Sequence, residues 1–235
     1  MRHEIELIRE SLASLDPSGP PRAVFIRQAP AGVRSAGALL CLSASFNPIT
    51  QAHLALLEAG RRIIAADELL LLLSIANVDK PVVGLSLERR LRMLLRVAES
   101  RTNMSIALAS HGRFVDKAEA LRAHYPASTR LVFLLGLDTL VRLFDAKYYT
   151  DPARELMRLF SGCEIVAAPR GPAADALARL LAEPHIAAYA PHIRCVEVPA
   201  AVAAISATRV RERLAHGEDV QDLVPPEIVP LLTRD

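Results

Sequence analysis

The sequence predicts an α/β protein of one domain, built on an open parallel sheet with helices on both faces. Three observations lead there. From Ala38 onward, apolar runs of strand length alternate with stretches of helical period, the pattern left by strands joined through crossover helices. The 235 residues, 51% of them hydrophobic, are enough for one substantial core. No internal repeat, long Gly/Ser linker or sharp change of composition marks off a second domain.

Taken in order, Met1–Asp16 reads as an amphipathic helix with Ile5, Ile8, Leu12 and Leu15 on one stripe, stopped by Asp16-Pro17-Ser18-Gly19-Pro20-Pro21. Residues 1–37 are therefore set apart as a helix and extension, and 38–235 as the main domain. The helix could cover a sheet edge, cap the fold or join a homo-oligomer. Strands are predicted at Ala38–Ser43, Glu68–Ser74, Asn103–Leu108, Arg130–Gly136, Cys163–Ala168 and Ile193–Val198. Helices are predicted at His53–Ala65, Leu87–Glu99, Phe114–Ala123, Ala173–Leu181 and Thr208–His216, with a turn or helix from Pro226 to Leu232.

Charge and composition exclude several functions. The 28 Lys+Arg against 26 Asp+Glu leave a net charge of +2, too little for the basic footprint of nucleic-acid binding but compatible with a small anionic ligand. Cys41, Cys163 and Cys195 follow neither a disulfide framework nor a metal-ligand spacing, which predicts a reducing, cytoplasmic setting. Arg2, Glu4, Glu6, Arg9 and Glu10 break up any signal-peptide core. The longest apolar run, Leu69–Leu73 with Ile75 and Ala76, is strand-sized, so no membrane partner is expected. No clustered His/Asp/Glu set supports a zinc hydrolase, and no Gly-x-Ser-x-Gly or Walker-type loop occurs.

Open sheets bind ligands beyond the C-terminal strand ends, which directs attention to the residues after Ser43, Ser74, Gly136 and Ala168. After the first comes Ser45-Phe46-Asn47-Pro48-Ile49-Thr50-Gln51-Ala52-His53, opening a helix. Backbone N–H groups at a helix start attract phosphate, and Thr50 and His53 project to the same side of its first turn. The same residues also read as an N-cap and a surface histidine. Near the C-terminus Ile205-Ser206-Ala207-Thr208-Arg209-Val210-Arg211 follows a predicted strand and starts another helix, with Thr208 and Arg211 on one face. The other reading is a capped helix with Arg209, Arg211 and Arg213 solvated. Between them, Lys80 suits an anion, Ser86 caps a helix, and Arg89 and Arg90 either line a pocket or face water, solvent being favoured for Arg90. Gly136 allows close approach and Asp138 can accept hydrogen bonds or cap a helix. Arg170, in a Pro-Arg-Gly turn, could stack on a base.

The first segment resembles the first signature of the nucleotidyltransferases named for their His-x-Gly-His motif, with Thr50 where the first His often stands and Ala44 and Ala52 where Gly is common. Ile205–Arg211 resembles the Ile-Ser-Ser-Thr-x-x-Arg signature of the same superfamily, with Ala207 replacing a Ser. Leu134-Leu135-Gly136-Leu137-Asp138 resembles the Leu-Gly-x-Asp element of nicotinamide mononucleotide adenylyltransferases. Arg142–Tyr149 is similar to a stretch in a divergent branch that also carries Asn-x-Asp-Lys, here Asn77-Val78-Asp79-Lys80, and Arg170-Gly171 is similar to a late Arg-Gly turn.

The resemblance runs from Ala38 to Leu214. It implies a Rossmann-like fold and adenylyl transfer from ATP to nicotinamide or nicotinic acid mononucleotide, forming NAD or its deamido form and pyrophosphate. It implies catalytic Thr50, His53 and Arg211, with Ser45, Phe46, Asn47, Ser206, Thr208 and Arg211 on ATP. Lys80, Gly136, Asp138 and Arg170 would bind the mononucleotide. Mg²⁺ would be held mainly by ATP phosphates, with no protein metal site. His53 would meet the α-phosphate, Thr50 and Thr208 phosphate oxygens, Arg211 the β- and γ-phosphates, and Lys80 phosphate on either substrate. A pantetheine-phosphate adenylyltransferase or a cytidylyltransferase would share both end motifs, and a catalytically inert nucleotide-binding protein is compatible with the three alanines.

Overall fold

Five consecutive leucines, Leu69–Leu73, leave the strand they form without a polar face. Side chains alternate along a strand, so such a run must be covered on both sides. In the computed structural model, which describes residues 2–30, 32, 37–76, 84–169 and 174–232, Leu69, Leu71 and Leu73 enter one core and Leu70 and Leu72 the other.

The chain runs α1 (Arg2–Ala13), β1 (Ala23–Arg27), β2 (Ala38–Ser43), α2 (Gln51–Ile64), β3 (Glu68–Ser74), α3 (Leu87–Ala98) and β4 (Met104–Ala109). It continues through α4 (Phe114–Arg122), β5 (Arg130–Gly136), α5 (Leu137–Leu143), α6 (Pro152–Phe160), β6 (Cys163–Ala168) and α7 (Ala174–Leu181). The last elements are β7 (Ile193–Cys195), α8 (Ala200–Ala203), α9 (Ala207–Ala215) and α10 (Val229–Leu232). The strands form one sheet in the order β1-β4-β3-β2-β5-β6-β7, parallel throughout except for β1 against β4. The chain builds outward from β2 to β4, then returns to the other flank of β2 with β5. The order therefore reverses between β2 and β5, where a crevice opens beyond the strand ends.

Ile8 and Leu15 from the N-terminal segment, Leu57 and Ile64 of α2, Leu91 and Leu94 of α3 and Val210 of α9 share one core. Phe114 and Leu121 of α4, Leu140 of α5, Leu156 and Phe160 of α6 and Leu177 of α7 share the other. The sheet thus separates two sets of helices. Local signals set their ends: the Ser86 hydroxyl accepts the Arg89 N–H at 3.2 Å to cap α3, and Asp151 accepts the Arg154 N–H at 3.1 Å beside Pro152 to cap α6.

Strand β1 lies in the segment read as an extension and makes a seventh strand where six were predicted. Its residues Ala23, Val24 and Phe25 face Ala109, Leu108 and Ala107 of β4. Strand β7 stops at Cys195, short of the predicted Val198, and α8 intervenes before Ile205–Arg211, which therefore does not follow a strand directly. Among the described residues no helix is long and apolar enough to cross a membrane.

At the end of the sheet away from the crevice, Glu68 is buried at the start of β3. Its Oε1 accepts hydrogen bonds from the Ser105 hydroxyl and, at 2.7 Å, from the Tyr125 hydroxyl. Burial and the adjacent Glu68 hold the Tyr125 hydroxyl protonated, well above its usual pKa. A buried acceptor that loses one donor keeps its desolvation penalty, so Tyr125→Phe should destabilise the fold by about 1–3 kcal/mol in urea titration.

Candidate active site

Strand β2 ends at Ser43, and the next seven residues turn the chain into α2. Phe46 takes φ 44, the left-handed region that costs a residue with a Cβ of order 1–3 kcal/mol, and the Asn47–Pro48 peptide is cis. Contacts from distant segments hold the loop. The Ser45 carbonyl accepts from Arg90 Nη1 at 2.9 Å, the Asn47 carbonyl from Arg211 Nη1 at 2.6 Å, and Asn47 Oδ1 from the Leu85 N–H at 3.0 Å. Gly84 is the close neighbour that permits this: it has φ +120, and a Cβ there would lie 2.9 Å from the Asn47 amide and 3.1 Å from Arg211 Cδ.

The expectation for Arg89 and Arg90 is corrected here, since neither lines the cleft and Arg90 does not face water. Arg90 is buried on the Ser45 and Ser86 carbonyls, and burial lowers its pKa from the usual guanidinium value. Arg89 donates to the Leu231 carbonyl at 2.7 and 3.0 Å and fastens the C-terminal segment. Both roles depend on tertiary neighbours that helical periodicity does not reveal.

At the start of α2, the Thr50 N–H donates to His53 Nδ1 at 3.0 Å, and Thr50 Oγ1 lies 2.8 Å from the same nitrogen. A main-chain N–H can only donate, so Nδ1 is an acceptor and the neutral ring carries its proton on Nε2. Thr50 is fully buried and fixes the imidazole's tautomer and direction. Behind it the Phe46 ring packs 5.2 Å from the His53 ring. At the other helix start, Ser206 Oγ accepts the Arg209 N–H at 3.1 Å, and Arg211 Nη2 donates to Thr208 Oγ1 at 3.2 Å. With its other contact on the Asn47 carbonyl, Arg211 therefore joins the loop leading into α2 to the first turn of α9.

These groups share one cleft of about 1150 Å³. It collects Ser45, Asn47, Thr50, His53, Gly136, Asp138, Ser206, Thr208 and Arg211 from the expected set, together with the strand ends Ser43, Ser74, Gly136 and Ala168. Phe46 is the exception, because its side chain is 1% exposed in the core and supports His53 from behind instead of lining the cleft. Lys80 and Arg170 lie outside the described residues. Ala44 and Ala52 line the cleft without positive φ, which among described non-glycine residues occurs only at Phe46 and Ala65, so neither alanine strains the backbone.

The opposite wall was not anticipated. It comes from Gly112–Phe114 and Lys117 after β4, and from Lys147–Tyr149. Arg113 donates twice to Asp116, at 2.8 and 2.9 Å, and once to Glu155 at 2.8 Å; hydrogen bonding to Asp116 raises its pKa above the ordinary guanidinium value. Lys117 is buried with its Nζ 4.6 Å from the Phe114 ring centroid, and burial pulls its ammonium down to about 8. The signal that could have found this wall is the C-terminal end of β4, which obeys the same strand-end rule as its neighbours.

Two helix starts bearing imidazole, hydroxyl and guanidinium at the reversal point of a parallel sheet define a nucleotide-binding α/β protein. The chain belongs to the cytidylyltransferase-like family, whose model matches residues 42–213. It is 31% identical over 208 residues to a Schizosaccharomyces pombe protein named as a nicotinamide mononucleotide adenylyltransferase, covering 81% of this chain and 82% of that one. It is 28% identical to a Bordetella pertussis protein named as a nicotinate-nucleotide adenylyltransferase, covering 80% and 90%. In fold it is similar to Plasmodium falciparum nicotinic acid mononucleotide adenylyltransferase complexed with NaAD, with TM-score 0.61 and 17% identity over 83% of this chain and 94% of that one.

The crowding at Gly84 yields a prediction. Gly84→Ala places a Cβ against Asn47 and Arg211 in a backbone conformation that L side chains rarely adopt. It should destabilise the protein by about 1–3 kcal/mol in denaturant titration.

Proposed function

We propose that the chain transfers the adenylyl group of ATP to a pyridine mononucleotide, forming an NAD-type dinucleotide and pyrophosphate. The observation that carries this reading is the locked His53, whose Nδ1 accepts from Thr50 so that an Nε2–H donor stands at the start of α2 in the cleft. Family membership and the names of the relatives support the reaction class and the acceptor.

In this reaction a phosphate oxygen of the mononucleotide attacks the α-phosphorus of ATP in line. The new P–O bond forms as the bond to the β-phosphate breaks, and the electron pair leaves on pyrophosphate. No enzyme nucleophile is required, so positioning and charge stabilisation carry the catalysis. His53 donates to the α-phosphate as charge develops there. Thr50 is a positioning residue acting through His53, while Arg211, Thr208 and the N–H groups opening α9 take the β- and γ-phosphates. Ser45 and Asn47 shape the ATP side, with Ser206 capping α9. Gly136, Asp138, Lys80 and Arg170 serve the mononucleotide.

Among the described residues no three His, Cys, Asp or Glu side chains are grouped to hold a metal, and Asp138 is the single carboxylate among the cleft's described residues. This donor set fits a magnesium ion that arrives on the triphosphate as part of the substrate and neutralises phosphate charge. Three free cysteines, one of them exposed, suit a reducing compartment such as the cytoplasm.

The test is pyrophosphate release from ATP and Mg²⁺ with nicotinamide mononucleotide, nicotinic acid mononucleotide or pantetheine phosphate. Release is expected with a pyridine mononucleotide, and His53→Ala should lower kcat by about 10²–10³-fold while remaining folded. Full turnover by the folded variant, release with pantetheine phosphate alone, or ATP binding without release with any acceptor would overturn the reading.

A further inference from the structure

We infer that Lys117 selects the acceptor: its buried ammonium pairs with a carboxylate on the pyridine ring, so nicotinic acid mononucleotide is preferred over its amide. The inference rests on the acceptor class proposed above and names its charge.

Lys117 is 6% exposed yet lines the cleft, and its ammonium makes no hydrogen bond or ion pair among the described residues. The acids nearby are already engaged. Arg113 holds Asp116 through two hydrogen bonds and Glu155 through a third. From β2, Cys41 approaches as a thiol that burial keeps protonated. The ammonium thus has the Phe114 ring as its direct contact, 4.6 Å from its centroid, and feels Asp116 of the same helix only through space, since Arg113 holds that carboxylate. A buried ammonium whose nearest acid is already bound to another cation is left poorly compensated, and a ligand that brings a carboxylate of its own removes that cost.

Position indicates which ligand group this is. Helix α4 packs in the core opposite the one that holds α2 and α9, so Lys117 stands across the sheet from the groups proposed to hold the phosphates. Phe114, Tyr148, Tyr149 and Leu135 line the cleft with it, rings and apolar surface that suit a flat aromatic base better than a phosphate. On such a base, a carboxylate forms a charge-assisted pair with the ammonium, whereas an amide offers only its dipole.

The experiment compares kcat/KM for the two pyridine mononucleotides in wild type, Lys117→Met and Lys117→Arg, with equilibrium binding of each mononucleotide measured separately. Wild type should favour the acid, and Lys117→Met should lose about 10²-fold on the acid while changing the amide by no more than about threefold. Lys117→Arg should recover part of the loss. Lys117→Met should melt no lower than wild type, because methionine replaces a buried charge. Wild-type kcat/KM for the acid should fall above about pH 8 as the ammonium deprotonates, and that for the amide should not. Of the groups around it, Asp116 is held by Arg113, Cys41 titrates far above that range, Arg113 is raised, and Tyr149 is pushed up to about 12.

Equal use of both acceptors, preference for the amide, or equal loss of both in Lys117→Met overturns the inference. If neither mononucleotide is adenylylated but the acid binds and Lys117→Met abolishes that binding, the role of Lys117 stands and the transfer reading falls. If neither binds, both fall.

Discussion

The hydrogen bond from Arg211 to the Asn47 carbonyl is the contact on which the rest of the site depends. It spans 2.6 Å in space and 164 residues in sequence, joining the loop after β2 to the helix near the chain's end. A charged donor on a backbone carbonyl contributes about 1.5–3 kcal/mol net, comparable to the cost of holding Phe46 in the left-handed region. Arg90 on Ser45 and the Leu85 N–H on Asn47 add to the same effect, so a conformation unfavourable by itself is imposed from outside the loop. With the two helix starts fixed against each other, their N–H groups, His53 and the guanidinium can converge on one triphosphate.

The sheet divides the work. Its leucine-rich strand β3 is buried on both faces and keeps apart the helices that carry His53 and Arg211 and the helices that carry Phe114 and Lys117. The dinucleotide product of the proposed reaction has this polarity too, phosphates at its centre and a base at each end, which matches a crevice lined from both helical layers. Among the described residues the Lys117 ammonium is hydrogen-bonded to no carboxylate, whereas Arg113, one turn before it, is bound to two.

Where local sequence alone decided the outcome, it could be read. Strands β2, β3, β5 and β6 have the expected bounds because each is a short apolar run between polar or Gly ends. Helices α2, α3 and α9 start within two residues of expectation because hydroxyl residues mark their starts. Strand β1 was missed because its five residues become a strand only by pairing with the exposed edge of β4. Within the site, His53, Thr208 and Arg211 were legible from helical spacing. The side chains of Phe46 and Arg90 were not, since each takes its position from a partner elsewhere in the chain. Lys117 was hidden in a helix whose periodicity assigned it no particular face.

The most direct test of the account is a double-mutant cycle on His53→Ala and Arg211→Ala, read as kcat/KM with ATP at fixed magnesium and pyridine mononucleotide. If the two helix starts act on one triphosphate as a unit, the double variant should lose less than the sum of the single losses, with a coupling energy of at least about 1 kcal/mol. Losses that add to within about 0.5 kcal/mol would mean that the two elements work independently, and would contradict the account.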